Sequence, residues 1–226
     1  DIVFGRGIII QEGEEWKKQR KRMAHSFAHS FIAKFAQPIA TLTHTHLKNI
    51  EGERNIDEDF MSITLELVMR ILFGNTIGKD QEALTESFRT ISLYFSNIMS
   101  PIQFPLWVPT PMNRRYNKAM KNMEQVVKRI LDDRNAKHRE KRDLLSRIME
   151  DSNDLPALDE KLIHDEIRTL LLAGHETTSL ALTYSTWFLS DDLTLQDELA
   201  SEINQITGGE PVQGEHLPLL NTIRNT

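Results

Sequence analysis

The chain has 226 residues, 39% of them hydrophobic, and a net charge of −6 from 27 basic and 33 acidic side chains. It is therefore long enough to close a substantial core and too acidic overall for a general nucleic-acid binder, whose footprint would be basic. Cysteine is absent, which excludes disulfides, thiolate metal sites and a cysteine nucleophile among these residues and leaves the redox compartment open. Asp1 follows no initiator Met, signal peptide or transit peptide, and Thr226 ends the sequence inside what reads as a starting helix, so an internal segment of a longer protein is expected.

Only the opening DIVFGRGIII alternates with period two, and helical patterns follow it in succession, so the predicted class is mostly α. A first helix is predicted from about Glu14 to Ala36. The next begins near Pro38, which the first turn of a helix tolerates, and ends near Gly52. DEDFMSITLELVMRILFG opens on acids and closes on Gly74, as the helix dipole and a glycine C-cap favour. A fourth helix is predicted over roughly Lys79 to Met99. SPIQFPLWVPTPMN carries four prolines and reads as a loop, with Phe104, Leu106 and Trp107 taken first as core plugs, and otherwise as an entrance lid or a lipid-touching patch. A long amphipathic helix from Asn113 to about Arg139 puts Tyr116, Met120, Met123, Val127 and Ile130 on its apolar side and reads as a surface helix.

The last long pattern starts at an N-cap, Asp159, and runs to Ser190, about 45 Å at 1.5 Å per residue. Within it LLLAGHETTSLAL places His175, Glu176 and a run of hydroxyls among leucines, and Glu176 is the sole formal charge between Thr169 and Ser190. An ionisable group in such a run is costly unless it is paired or used. The helix is too polar for a membrane span and reads as a core helix passing through the middle of the protein. Ala173 and Gly174 remove side-chain bulk one turn before Thr177, either to admit a flat ligand or to let another helix approach closely. The Thr177 hydroxyl is placed either to bond back to the Ala173 carbonyl or to turn toward whatever occupies the gap.

AGHETT, Ala173 to Thr178, resembles the central-helix signature of the heme-thiolate monooxygenases, the cytochromes P450. Upstream, EGEEWKKQRKRMAHSF resembles that family's Trp-x-x-x-Arg helix, with Trp16 and Arg20 matching. PLWVPTPMNRRYNKAM and GEHLPLLNTIRNT are similar to connecting segments of the same family, so the resemblance runs over essentially the whole chain. It implies the central segment of one cytochrome P450 domain, residues 1–226, truncated at both ends. It further implies a heme whose propionate is bound by Trp16 and Arg20, an oxygen-side groove at Ala173 and Gly174, and proton delivery by Glu176 and Thr177. His175 and Thr178 are assigned mainly to packing.

The implied reaction is insertion of one oxygen atom from O2 into a small apolar organic substrate, with electrons from a flavoprotein reductase or a ferredoxin. Some of Lys17, Lys18, Lys21 and Arg22 would face that donor. The resemblance implies neither nucleic acid nor a further metal site, leaves membrane association undetermined, and favours a cytoplasmic or cytoplasmic-facing location. The axial cysteine and its Glu-x-x-Arg helix are expected outside this chain; the Glu-x-x-Arg strings at Glu51 and Glu86 precede the central helix and read as chance. The segment alone is expected to be inactive. Two other classes are kept beside this reading: a metal-dependent hydrolase using His25, His29, His44, His46 or His175 with Glu176, and a non-catalytic helical interaction domain.

Overall fold

The computed structural model describes residues 3–48, 50–74, 81–96, 104–137, 143–149 and 159–225. Among the described residues there is no strand. The strand-like opening pattern instead forms turns and one 3-10 turn, Ile8–Ile10. Helices follow: α1 (Gly13–Ser26), α2 (His29–Ile32), α3 (Ala36–Leu47), α4 (Ile56–Phe73), α5 (Gln81–Ser96), α6 (Pro111–Lys137), α7 (Leu144–Met149), α8 (Glu160–Ser190), α9 (Leu193–Thr207) and α10 (Asn221–Asn225).

Several boundaries follow the residues that were expected to set them. Gly74 closes α4 in the left-handed region at φ 62°, donating its N–H to the Arg70 carbonyl at 3.0 Å. Asp159 caps α8, its carboxylate accepting from the Leu162 N–H at 2.7 Å. Pro111 starts α6, two residues earlier than predicted. There the buried Asn113 side chain donates to the carbonyls of Pro105 and Val108 at 2.9 and 2.8 Å and folds the loop back on the helix.

Two expectations are corrected. The predicted helix to Ala36 stops at Ser26, and after a break the chain makes the short α2 and a 3-10 turn, Ala33–Phe35. The break carries Phe31 into contact with buried Leu144 and Ile148 of α7, where the Arg147 guanidinium lies 4.4 Å from its ring centre. Phe104 and Trp107 are not core plugs. Trp107 is 83% exposed, and only Leu106 of the three packs against the core.

The main core gathers α4, α5, α6 and the first half of α8. It contains Leu65, Phe88, Tyr116, Met123, Ile167 and Leu171, each nearly fully buried. The predicted apolar side of α6 faces it. α8 runs through this core only as far as Ser179, beyond which none of its residues is buried. No helix among the described residues is long and apolar enough to cross a membrane.

Candidate functional site

α8 presents its motif residues to different neighbours, because successive residues turn by about 100°. His175 is fully enclosed. Its Nε2 lies 3.1 Å from the Met61 carbonyl of α4 and its ring centre 4.7 Å from that of Phe88 of α5, while burial pushes its pKa down to about 4. The ring is thus neutral, carries its proton on Nε2, and fastens α8 to α4, the packing role expected of it.

Gly174 faces α4 as well. A Cβ there would stand 3.2 Å from Val68 Cγ2, so the missing side chain serves close helix packing rather than the open face. Ala173, Thr177 and Thr178 are exposed. The Thr177 hydroxyl donates to the Ala173 carbonyl at 2.5 Å, the back-bond foreseen for it, and Thr178 does the same to Gly174 at 2.8 Å. Their oxygen lone pairs stay available to an acceptor-seeking group. The half-buried Glu176 accepts a short hydrogen bond from the Ser92 hydroxyl of α5. Sequence reasoning missed Ser92, since a serine in the middle of an ordinary amphipathic helix carries no local signal.

On α1, Trp16 and Arg20 stand one turn apart and both are exposed. Among the described residues no ion pair engages Arg20. Around them Lys17 pairs with Glu14 and Lys18 with Glu15 across one turn at 2.6 and 2.7 Å, exposed contacts of the solvated kind expected there. An indole N–H and an unpaired guanidinium on one open helix face fit an anionic group such as a propionate. Ala173, small and exposed, with the Thr177 hydroxyl one turn on, fits the face of a flat ligand. These residues therefore suit a heme.

The helices that carry the two groups are joined through the opening segment. The Arg6 N–H donates to Asp165 Oδ2 at 2.8 Å, the Ile8 N–H donates to Glu166 Oε2 at 3.3 Å, and Gln19 Nε2 of α1 donates to the Arg6 carbonyl at 3.1 Å. Gly5 and Gly7 make this approach possible, since a Cβ on either would overlap the Asp165 carboxylate or the Thr169 hydroxyl. Burial pushes the Glu166 carboxyl up to about 7, against the Ile8 amide and with help from Asp165. The Arg168 guanidinium holds Asp165, and Arg6 pairs with Asp159, whose carboxyl it holds below the usual range.

Among the described residues the histidines do not assemble a centre. His46 Nε2 is bound to Glu66 at 2.7 Å, and His175 is shut in by Met61 and Phe88. The His25 and His29 side chains lie outside the described residues. Among the described residues no three His, Cys, Asp or Glu side chains group as a metal site would require.

A family profile described as Cytochrome P450 matches residues 2–224. The chain belongs to the cytochrome P450 family. Among related P450 sequences, the cytokinin hydroxylase of Arabidopsis thaliana is 28% identical over 98% of this chain and 46% of its own length. The cyclooctat-9-en-7-ol 5-monooxygenase of Streptomyces melanosporofaciens is 26% identical over 98% of this chain and 50% of its own. This P450 chain thus spans about half the length of such relatives. The fold agrees: the retinoic-acid-bound cyanobacterial CYP120A1 superposes with a TM-score of 0.81 at 17% identity, over 99% of this chain and 51% of that one.

Proposed function

We propose that this chain is part of a single P450 domain that binds heme and, in the complete protein, inserts one oxygen atom from O2 into a small apolar organic substrate. The observation that carries the reading is the exposure of two groups at once: Trp16 with Arg20 on α1, and Ala173 with Thr177 on α8, while the flanking His175 is sealed in the core. Relatives named as a hydroxylase and a monooxygenase support the reaction class. The heme, when bound, supplies the oxygen chemistry, and its axial cysteine has to come from outside these residues, which contain none.

The chain's own residues would divide the remaining work. Trp16 and Arg20 donate charge-assisted hydrogen bonds to a propionate. Ala173 leaves a flat ligand room against α8, and Gly174 keeps α4 close behind it. Thr177 offers a hydroxyl on an exposed part of α8, and Glu176, beside it in sequence and tied to Ser92, exchanges protons with water and passes them toward that hydroxyl. A flavoprotein reductase or ferredoxin would supply electrons at the basic side of α1, from a cytoplasmic or cytoplasmic-facing position.

Thr177→Ala in the complete enzyme tests the assignment. Heme content and substrate affinity are expected to stay near wild type, while reducing equivalents shift from product to hydrogen peroxide. The measurement is product formed per reduced nicotinamide consumed, with peroxide assayed in the same vial. Wild-type coupling would return Thr177 to a helix-packing role.

A further inference from the structure

α1 is a poorly anchored helix. Of its described side chains only Gln19, Met23 and Ser26 are buried, and its exposed faces carry charge. Apolar burial through one methionine leaves its rotation weakly specified, so polar contacts have to fix it. The buried Gln19 lies between Trp16 and Arg20 in sequence and points inward while they point out. Its amide nitrogen donates to the Arg6 carbonyl at 3.1 Å. The N–H of the same Arg6 donates to Asp165 Oδ2 on α8 at 2.8 Å. Asp165 is itself 1% exposed and held by Arg168 one turn further along, and the adjacent Ile8 N–H is bound by Glu166. A continuous hydrogen-bonded path therefore runs from α8 to α1 through the backbone of one residue, where Gly5 and Gly7 let the segment lie directly on the helix.

We propose that Gln19 and Asp165 are positioning residues which clamp the Arg6 backbone between them and so set the rotation and height of α1, with Trp16 and Arg20, relative to the Ala173–Thr177 stretch of α8. The inference rests on the reading of Trp16 and Arg20 as heme anchors. Neither positioning residue touches the ligand. Each acts by holding the helix that does, and the geometry of a two-point anchor is lost when its helix turns.

The test uses the complete heme-loaded protein and the rate of heme transfer to excess apomyoglobin. Gln19→Met keeps the side-chain length and removes the donor. It is expected to speed heme loss about 2- to 12-fold, the range that one lost hydrogen bond produces, and to reduce hydrogen-exchange protection of the Arg6 amide. A Trp16→Phe, Arg20→Met double variant removes the anchors themselves, since neither new side chain can donate a hydrogen bond. Adding Gln19→Met to it is expected to speed heme loss no further, because positioning has nothing left to position. Asp165→Asn, which retains an acceptor, is expected to move heme loss in the same direction by less, and it stands in if Gln19→Met does not fold. If the double variant loses heme at the wild-type rate, the anchor reading falls and this inference falls with it. If the double variant is fast but Gln19→Met is not, or if the two effects multiply in the triple variant, the anchor reading stands and the clamp alone is overturned.

Discussion

His175 and Glu166 lie two and a half turns apart on α8 and titrate in opposite senses. Burial keeps His175 neutral down to about 4, against an ordinary 6.5, and the Met61 carbonyl opposes this only in part. The stability it contributes is present above 6.5 and is lost as pH falls toward 4. Burial raises the Glu166 carboxyl from 4.5 to about 7, with the Ile8 amide opposing it, so its contribution is present below 4.5 and is lost as pH rises through 7. Between about 4.5 and 6.5 the two slopes have opposite signs and largely cancel. Glu166→Gln is accordingly expected to unmask a fall in stability on acidification, of up to about 1.4 kcal/mol per pH unit. His175→Phe is expected to unmask a fall as pH rises through the same window. Urea midpoints of both variants from pH 4.5 to 7.5 check the pair, and flat profiles would refute the assignment. Sequence made half of this legible. An ionisable pair inside a leucine run marks His175 and Glu176 at once, whereas Asp165 and Glu166 depend on amides 159 and 158 residues away, which no local pattern encodes.

At the scale of elements, punctuation residues carried most of the readable information. Asp159 and Gly74 set the start of α8 and the end of α4, because an oxygen-bearing side chain and a residue free to take positive φ each satisfy helix-end groups. Asp159→Ala is expected to lower the melting temperature chiefly through loss of the N-cap, since the exposed ion pair to Arg6 adds little. The melting temperature of that variant, compared with Arg6→Ala, separates the two contributions. The break after Ser26 was not legible, because nothing in HSFAHSF forbids a helix. The chain leaves helical geometry so that Phe31 can reach Leu144 and Ile148, and α7, six residues long, was itself too short to announce by periodicity. Phe104 and Trp107 erred in the other direction. Apolar composition argued for burial, yet the Asn113 bonds hold the loop where both rings point outward.

At the scale of the whole molecule, α8 is covered along its first half and bare along its second among the described residues. Leu180, Tyr184, Trp187 and Phe188 stand between 49% and 68% exposed along its second half, where a helix running through the middle of a protein was expected. The sequence could not reveal this, since the apolar residues fall all round the helix. A contiguous patch of this kind binds environment-sensitive dyes and self-associates. The isolated 226-residue polypeptide is therefore expected to brighten anilinonaphthalene sulfonate strongly. With hemin and CO it is expected to give no thiolate-type ferrous band, because it has no cysteine to offer. A stable band of that type would overturn the expectation that the isolated segment is inactive.

The division of α8 also orders events in time. Every buried member of the main core lies between Val3 and Leu172, so the helix is clothed by residues that precede it and is bare over those that come last. At 5–20 residues per second a ribosome lays that stretch down in roughly 10–30 s. The first half of α8 meets a waiting core as it leaves the exit tunnel, whereas Tyr184, Trp187 and Phe188 stand exposed among the described residues. For that interval their exposed rings offer a binding stretch to a chaperone that recognises short aromatic segments.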